Sequence, residues 1–524
     1  MSGCRLRLTP SGRHHLFTQQ TLLADALIDM GIAVKTPCGG KGTCGKCMVK
    51  VTGALSGQSP IEAKALKDKP GMRLACQAVI QGDVEVFMDE TSERVQQSCP
   101  GLRTDSRYGL ACDIGTTTVR VSLIDRKNRN TFLIDSFLNP QRRFGHDVIS
   151  RIAACSDPAT KGRLSDLIRS SVFNAMLRFL QACGIPAASC ELIVLSGNTT
   201  MLSLFFGLDV RPLGRYPYEV KTRDFTGFTP TDIGALAFPD AQILALPVLS
   251  AFIGGDLMGG LTLCRGSGIE KNAFFIDLGT NGELFVMNKN KDLFATSCAM
   301  GPALEGMNIA WGMTAEDGAI TAVEDGPGGL AFSMMGSGEP VGISGTALVD
   351  LTAILLRRGV IRPDGAFCKD LKPSDLPSPL AAGEIEGMKA LRVQGDIRFT
   401  QRDIRSLQLA KAAGLAASRI LLKESGMDAS AIEQVLIAGA FGEHLNLENF
   451  KALGFLPDFP NALWQFLGNT SLKAAEISCM DATFMNKASS FRDQVREVEL
   501  ALRPGFQDEF IDCTTFPMPS GALR

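Results

Sequence analysis

The 524-residue sequence predicts a small α+β module at its N-terminus, followed by a larger α/β domain doubled into two lobes. Three observations carry that expectation. Residues 1–90 set short strand-like runs and one helical stretch around a Gly-rich cysteine loop. From Tyr108 onward, apolar strands end in small polar turns that feed helices. The elements of residues 108–268 then recur in the same order across residues 269–524, which end in a connecting helix and a tail. Residues 91–107, polar and holding Pro100 and Gly101, read as a linker.

In the first module, CRLRLT (residues 4–9) alternates as a strand, and residues 22–30 have helical apolar spacing that stops at Gly31. The cysteine loop comes next. A strand is expected at MVKV, and two more at LACQAVI and DVEVFM, parted by Gln81 and Gly82. One helix against a curled sheet, with the cysteine loop at one edge, is the β-grasp arrangement of ferredoxins.

Four cysteines give this module its chemistry. Cys38, Cys44 and Cys47 lie in PCGGKGTCGKC, and Cys76 comes in LACQ after 28 further residues. Glycines let such a loop bend around a small cluster and bring N–H groups near anionic sulfurs. The spacing C-x5-C-x2-C…C is one residue longer in its first gap than the plant-type ferredoxin pattern. A structural zinc site usually shows two C-x2-C or C-x2-H pairs; here one such pair stands, with no histidine nearby. The four thiols are therefore expected to ligate a [2Fe–2S] cluster. Lys35, Lys41 and Lys46 surround the loop and read as solvated surface, the alternative being a docking patch for an acidic partner.

The lobes repeat one idea. The first opens with LACDIGTTTVRVSLI and the second with FFIDLGTNGELFVM: an apolar strand, an Asp, a Gly-Thr turn and a second strand. Each half then adds a strand and a Gly turn before a helix, at LIVLSGNTTM and VLIAGAFGEHL, and again at ILALPVLSAFIGGDL and ALWQFLGNTSLKAA. Small residues let backbone N–H groups approach phosphate oxygens. Gly115, Thr116 and Thr117 in one turn, with Gly279, Thr280, Asn281 and Gly282 in the other, are expected to clamp the polyphosphate of ATP. Asp113 and Asp277 are expected to hold Mg²⁺ through its waters. Glu283 is a candidate for positioning attacking water. The turn Gly439-Ala440-Phe441-Gly442 suits close backbone approach to an adenine ring. No G-x-x-x-x-G-K-[ST] run occurs, which excludes a P-loop.

This motif order resembles the superfamily of actin, sugar kinases and heat-shock ATPases, a duplicated ribonuclease H-like, actin-like fold. Residues 113–117 match its first phosphate motif, residues 277–283 its second and residues 439–442 its adenosine motif. The helices from Ser250 and from Asn469 match its two connecting helices. With the ferredoxin module, the full length resembles the ATP-dependent reductive activators of corrinoid proteins. The runs NPQRRFGHDVISRI, SGNTTM, LGTNGEL, MGPALEG and TQRDIRSLQLAKAA support that likeness. The resemblance implies one-electron reduction of a Co(II) corrinoid to Co(I), the form that accepts methyl groups in a methyltransferase system. It implies a cobalamin-carrying corrinoid protein and a low-potential electron donor as partners, and leaves a homodimer open. The sequence departs from the family in three places. The linker is short, so the extra linker and middle domains of larger members are expected to be missing. His146 stands where a small residue is expected, and no C-terminal C-x2-C ferredoxin clusters occur.

Composition narrows the alternatives. A formal net charge of −2, with two Trp and three Tyr, argues against a nucleic-acid surface. The longest apolar stretch, residues 241–263, contains Pro247, Asp256 and two Gly-Gly pairs, so it reads as a strand and a tightly packed helix with Asp256 at its middle rather than a membrane span. The first residues lack the apolar core of a signal peptide, and fifteen scattered cysteines suit a reducing cytoplasm where most, including Cys112 and Cys298, are buried thiols. His146 and His444 read as packing residues. Three other functions stay open on the residues alone: an ATP-dependent activator of another low-potential enzyme, a redox-sensing binding protein, and a small-molecule kinase using Asp256 or Glu283 as base.

Overall fold

Alternation builds the first module. In β1 (Cys4–Thr9), Cys4, Leu6 and Leu8 are buried while Arg5 and Arg7 face water. β2 (His14–Phe17), α1 (Leu23–Asp29), β3 (Met48–Leu55), α2 (Pro60–Leu66), β4 (Met72–Leu74) and β5 (Ile80–Phe87) complete it. The sheet runs β2-β1-β5-β3-β4, with β1 and β5 parallel. Leu23, Ala26 and Leu27 of α1 close the core over Leu6, Val51 and Val86, each leucine stabilising the module by about 2 kcal/mol. The computed structural model describes residues 4–17, 20–30, 32, 34, 36, 38, 40–66, 69–88, 102, 106–145, 147–269, 271–385, 387–439 and 445–518. Lys35, His146, Ala440, Phe441, Gly442, His444 and most of residues 91–107 lie outside that set.

Two local expectations change. β5 runs unbroken through Gln81 and Gly82, because Gly82 lies where a Cβ would come 2.8 Å from the Ala54 side chain. That glycine marks a close approach beside the register shift between Gly53 and Leu55, not a turn. Residues 75–77 form the turn instead. Cys76 therefore arrives on a turn after β4, not on a strand.

The first lobe holds β6 (Tyr108–Ile114), β7 (Thr118–Asp125), β8 (Asn130–Leu138), α3 (Val148–Ala154), α4 (Pro158–Ala182), β9 (Cys190–Gly197), α5 (Thr199–Phe205) and β10 (Gln242–Ala245). α6 (Gly255–Gly266) leads to the second lobe, which opens with β11 (Ala273–Leu278), β12 (Gly282–Met287) and β13 (Leu293–Cys298). Next come β14 (Ala319–Gly326), β15 (Gly329–Met334), β16 (Gly342–Ile343), α7 (Gly345–Arg357), β17 (Ala381–Ile385), β18 (Met388–Arg392), β19 (Arg398–Thr400) and α8 (Gln401–Ser425). β20 (Gln434–Ala438), α9 (Leu447–Ala452), β21 (Leu463–Gly468), α10 (Thr470–Met480), α11 (Thr483–Arg492), β22 (Val495–Glu497) and α12 (Phe506–Asp512) follow.

The two large sheets run β10-β9-β6-β7-β8 and β21-β20-β11-β12-β13-β22. In each, the first three strands are antiparallel neighbours, and two later strands lie parallel beside the first. The repeat seen in sequence is thus a repeat of topology.

The connecting helices exchange lobes. α6 packs Leu257, Met258 and Leu261 on Phe275, Phe285 and Leu436 of the second sheet. α10 packs Leu472, Ala475 and Cys479 on Ala111, Ile124 and Val194 of the first. They meet at Gly259, where a Cβ would stand 2.7 Å from that of Ala474. The first of these helices begins at Gly255 and not at Ser250. Ser250 stays in the loop, its hydroxyl donating to Glu497 at 2.6 Å, and a Cβ on Gly254 would meet Asn198 at 2.4 Å. Asp256 consequently sits in the first turn, not mid-helix. Among the described residues no helix is long and apolar enough to cross a membrane.

Candidate functional site

Two hairpins face each other across the cleft. Asp113 lies near the end of β6, followed by Gly115, where a Cβ would stand 2.4 Å from the Thr118 carbonyl oxygen. Asp277 lies near the end of β11, directly opposite Glu283 in the β11–β12 register, with Gly279, Thr280 and Asn281 in the turn and Gly282 opening β12. Gly439 succeeds β20 at φ +96°, and a Cβ there would be 2.8 Å from Asp277 Oδ1, so the approach of these strand ends requires glycine. The Thr117 and Thr280 hydroxyls are 2.9 Å apart. Both reach the Glu305 carboxylate, at 2.9 and 2.6 Å.

Several members of this site were not singled out from sequence. Asn469 Nδ2 and Ser471 Oγ each donate to Asp113 at 2.7 Å. Asn198 Nδ2 donates to Thr116 Oγ1 at 2.9 Å. Asn198 and Asn469 also cap α5 and α10, accepting from the N–H groups of Met201 and Leu472. Fully buried Arg151 donates to the Thr116 carbonyl at 2.6 Å. A signal for the two asparagines exists: the tripeptide Gly-Asn-Thr occurs at residues 197–199 and 468–470, each time between a strand and a helix. Glu305 stood in the MGPALEG run without a role.

The cleft concentrates acid. Burial raises the carboxyls of Asp113, Asp256, Asp277, Glu283 and Glu305 above their ordinary values. Neighbouring charge adds to it: Asp113 acts on Asp256, which is pushed up to about 7, and Asp256 with Asp113 on Asp277, which reaches about 8. Asp256 and Asp277 push Glu283 well up. Among the described residues no three His, Cys, Asp or Glu side chains close on one ion position.

The four thiols fall into two buried pairs. Cys47 and Cys76 have sulfurs 3.3 Å apart, and Cys38 is hydrogen-bonded to Cys44. In each pair a shared hydrogen bond lowers one thiol, Cys38 or Cys47, and raises its mate. The Thr43 and Cys44 N–H groups point at the Cys38 sulfur and the Lys46 N–H at Cys44. Gly40, Gly42 and Gly45 have φ values of +82°, +79° and +68°, which turn the loop inward. Two thiol pairs ringed by N–H donors fit a cluster with two irons, one pair to each, better than one tetrahedral ion.

Lys41 of this loop is neither solvated surface nor a docking patch, whereas Lys46 is exposed as expected. Lys41 Nζ donates to the carbonyls of Gly306, Ile309 and Gly312, the last at 3.2 Å. Lys46 pairs with Asp317 at 2.5 Å. Cys38 and Cys44 pack on Met313 and Ala319. The loop is thus seated on the second lobe because three carbonyls converge there on one point and a single cation can serve them all. A cavity of about 1870 Å³ runs from Cys47 and Cys76 to Asp113, Thr116, Asp277 and Gly439.

Comparisons with known proteins agree along the whole chain. Residues 8–81 match the 2Fe-2S iron-sulfur cluster binding domain, residues 108–266 the RACo middle region, and residues 271–522 the C-terminal domain of RACo, the ASKHA domain. The middle region expected to be missing is therefore present, as the first lobe. The chain is 27% identical to the corrinoid activation enzyme RamQ of Eubacterium limosum, over 95% of this chain and 97% of that one. It is 27% identical to the [Co(II) methylated amine-specific corrinoid protein] reductase of Methanosarcina barkeri, over 70% and 69% of the two chains. A solved structure, the reductive activator for corrinoid,iron-sulfur protein, superposes with a TM-score of 0.71 at 26% identity over 98% of each chain. With a two-iron ferredoxin domain, a middle lobe and an ASKHA domain in that order, the chain belongs to the RACo-type reductive activators of corrinoid proteins.

Proposed function

We propose that this chain is an ATP-dependent iron–sulfur reductase that reduces the Co(II) of a corrinoid protein to Co(I), readying it to accept a methyl group. The observation that carries the reading is the seating of the cysteine loop on residues 306–313, the segment that continues from Glu305 in the cleft. Cluster and nucleotide cleft share one piece of backbone.

Cys38, Cys44, Cys47 and Cys76 would hold the cluster, which supplies one electron when bound. Gln77 steadies that site, its Nε2 donating to the Gly40 carbonyl at 2.7 Å. In the cleft, Thr116, Thr117 and Thr280, with the backbone of Gly115, Gly279, Asn281 and Gly282, receive the phosphates. Gly439 opens the adenosine side, and Ala440, Phe441 and Gly442 are proposed to continue it. Asp113, Asp277 and Glu283 face the reacting phosphate. The separated carboxylates suit outer-sphere contact with hydrated Mg²⁺, which keeps most of its waters. Asn469 and Ser471 hold Asp113 in place for that contact.

Reducing Co(II) runs uphill from an ordinary two-iron potential. Each 59 mV of gap costs about a factor of ten for a one-electron step. A nucleotide offsets such a gap only by binding one arrangement of the lobes better than another. The lobes, joined through α6 and α10, are the element with two arrangements. We place the chain in a reducing cytoplasm, with a low-potential protein as donor; a homodimer is compatible with this scheme.

The test is the visible spectrum of a purified Co(II) corrinoid protein, monitored with this chain and a low-potential reductant. Co(I) should accumulate with MgATP and not without it. Asp113→Asn and Asp277→Asn should keep their iron content and lose the MgATP dependence. Equal Co(I) with and without MgATP would sink the reading.

A further inference from the structure

Glu305 holds a position that the proposed reaction leaves without a task. Its carboxylate takes hydrogen bonds from Thr117 of the first lobe and Thr280 of the second, the only side chain among the described residues bonded to both hairpin hydroxyls. Each hydroxyl carries one proton to donate, so neither can serve Glu305 and a phosphate oxygen together. Carboxylate and phosphate also repel, in a cleft already holding Asp113, Asp256, Asp277 and Glu283. Glu305 and a polyphosphate therefore compete for one place.

The backbone after Glu305 has no slack. Gly306 sits at φ +75°, and a Cβ there would be 2.3 Å from the Met313 carbonyl oxygen; one on Gly312 would be 2.0 Å from the Gly306 carbonyl oxygen. Residues 306–313 thus close on themselves and move as a unit. This unit receives Lys41 on three carbonyls and lays Met313 on Cys38 and Cys44. The ferredoxin module has a tether on the other lobe as well, where Asp29 pairs with Arg143 at 2.8 Å. Exposed pairs such as Lys64 with Asp396 add little. A module tied to both lobes cannot keep every tether when the spacing of Thr117 and Thr280 changes.

We propose that Glu305 is the nucleotide sensor of this chain: ATP phosphate displaces its carboxylate from Thr117 and Thr280, and the movement passes through residues 306–313 to loosen the Lys41 seat of the cluster loop. The proposal deepens the function given above and rests on Thr117 and Thr280 being phosphate donors. Glu305 is a positioning residue in it, acting on the cluster through backbone.

The experiment titrates MgATP into the full-length, cluster-loaded chain and reads calorimetric affinity together with the visible circular dichroism of the cluster. Glu305→Ala should bind MgATP about tenfold more tightly than the natural chain, because the competitor is gone. Glu305→Gln, which keeps the shape and loses the charge, should move the same way by a smaller factor. The natural chain should show a dichroism change at saturation. Lys41→Met should show that altered spectrum before any nucleotide is added, and Glu305→Ala should bind with little spectral response. Weaker binding by both Glu305 variants overturns the proposal, since it makes Glu305 a contact for the nucleotide or its metal. Tight binding to the natural chain with an unchanged spectrum overturns the transmission alone and leaves the proposed function standing. Absence of MgATP binding by the natural chain removes both.

Discussion

Binding of MgATP should expel protons, and Asp256 and Asp277 supply a large share of them. Asp256 and Asp277 are raised to about 7 and about 8 by burial and by the charge of neighbouring carboxylates. At pH 7 Asp256 is about half protonated, and Asp277 keeps its proton in about nine molecules of ten, so together they hold about 1.4 protons. A hydrated Mg²⁺ beside them favours the ionised forms and drives both towards carboxylate. Proton release of about 1.4 is the share expected from these two side chains, Glu283, also pushed well up, adding to it, and affinity for MgATP should climb with pH from about 6 to about 8, then flatten. The same shifts set the stability of the chain before nucleotide is added. Folded-state values above the ordinary 3.8 mean that the folded chain binds more protons than the unfolded one. Stability from this source is full below about pH 4 and is lost as pH rises towards about 8. Calorimetry of MgATP binding at pH 7 in phosphate, imidazole and Tris buffers measures the proton count as the slope of apparent enthalpy against buffer ionisation enthalpy. Asp277→Asn should lower the slope by about 0.9, by deleting the carboxyl that holds most of that proton at pH 7. A slope of zero in the natural chain, or proton uptake, would refute the picture of a protonated acid cluster waiting for a cation.

Three further outcomes are expected. Gly259→Leu forces a side chain into the α6–α10 contact and should cost about 3 kcal/mol, read as a melting temperature lower by several degrees. Cys76→Ser should abolish the visible iron chromophore while MgATP affinity stays within about twofold, since Cys76 sits on the turn after β4 with Cys47 and Gln77 beside it, not on the 306–313 segment that reaches the cleft. Asn469→Ala removes both the cap of α10 and a donor to Asp113, and should weaken MgATP binding about tenfold with a loss of about 1 kcal/mol in stability.

The parts of this protein legible in its sequence are those whose signals are local. Three cysteines within ten residues among glycines announce a cluster loop, since the bending and the ligands come from the same short run. The paired Asp-x-Gly-Thr hairpins are legible for the same reason: strand alternation, turn chemistry and phosphate-sized backbone are all written within a dozen residues. Repetition of those signals carries the duplicated fold. Folding alone settles whatever depends on which distant segments meet. Lys41 reads as a surface charge because its acceptors lie more than 260 residues away. Glu305 gains meaning only when Thr117 and Thr280 converge on it from opposite lobes. The exchange of α6 and α10 between sheets is silent in the sequence because an apolar helix face does not say which sheet it will cover. The pairing of Cys38 with Cys44 likewise takes shape where the loop packs on Met313 and Ala319 of the second lobe, and that of Cys47 with Cys76 within the core of the first module. Short-range chemistry can be read along the chain, but a contact free energy between remote groups exists only once the chain has closed the loop between them.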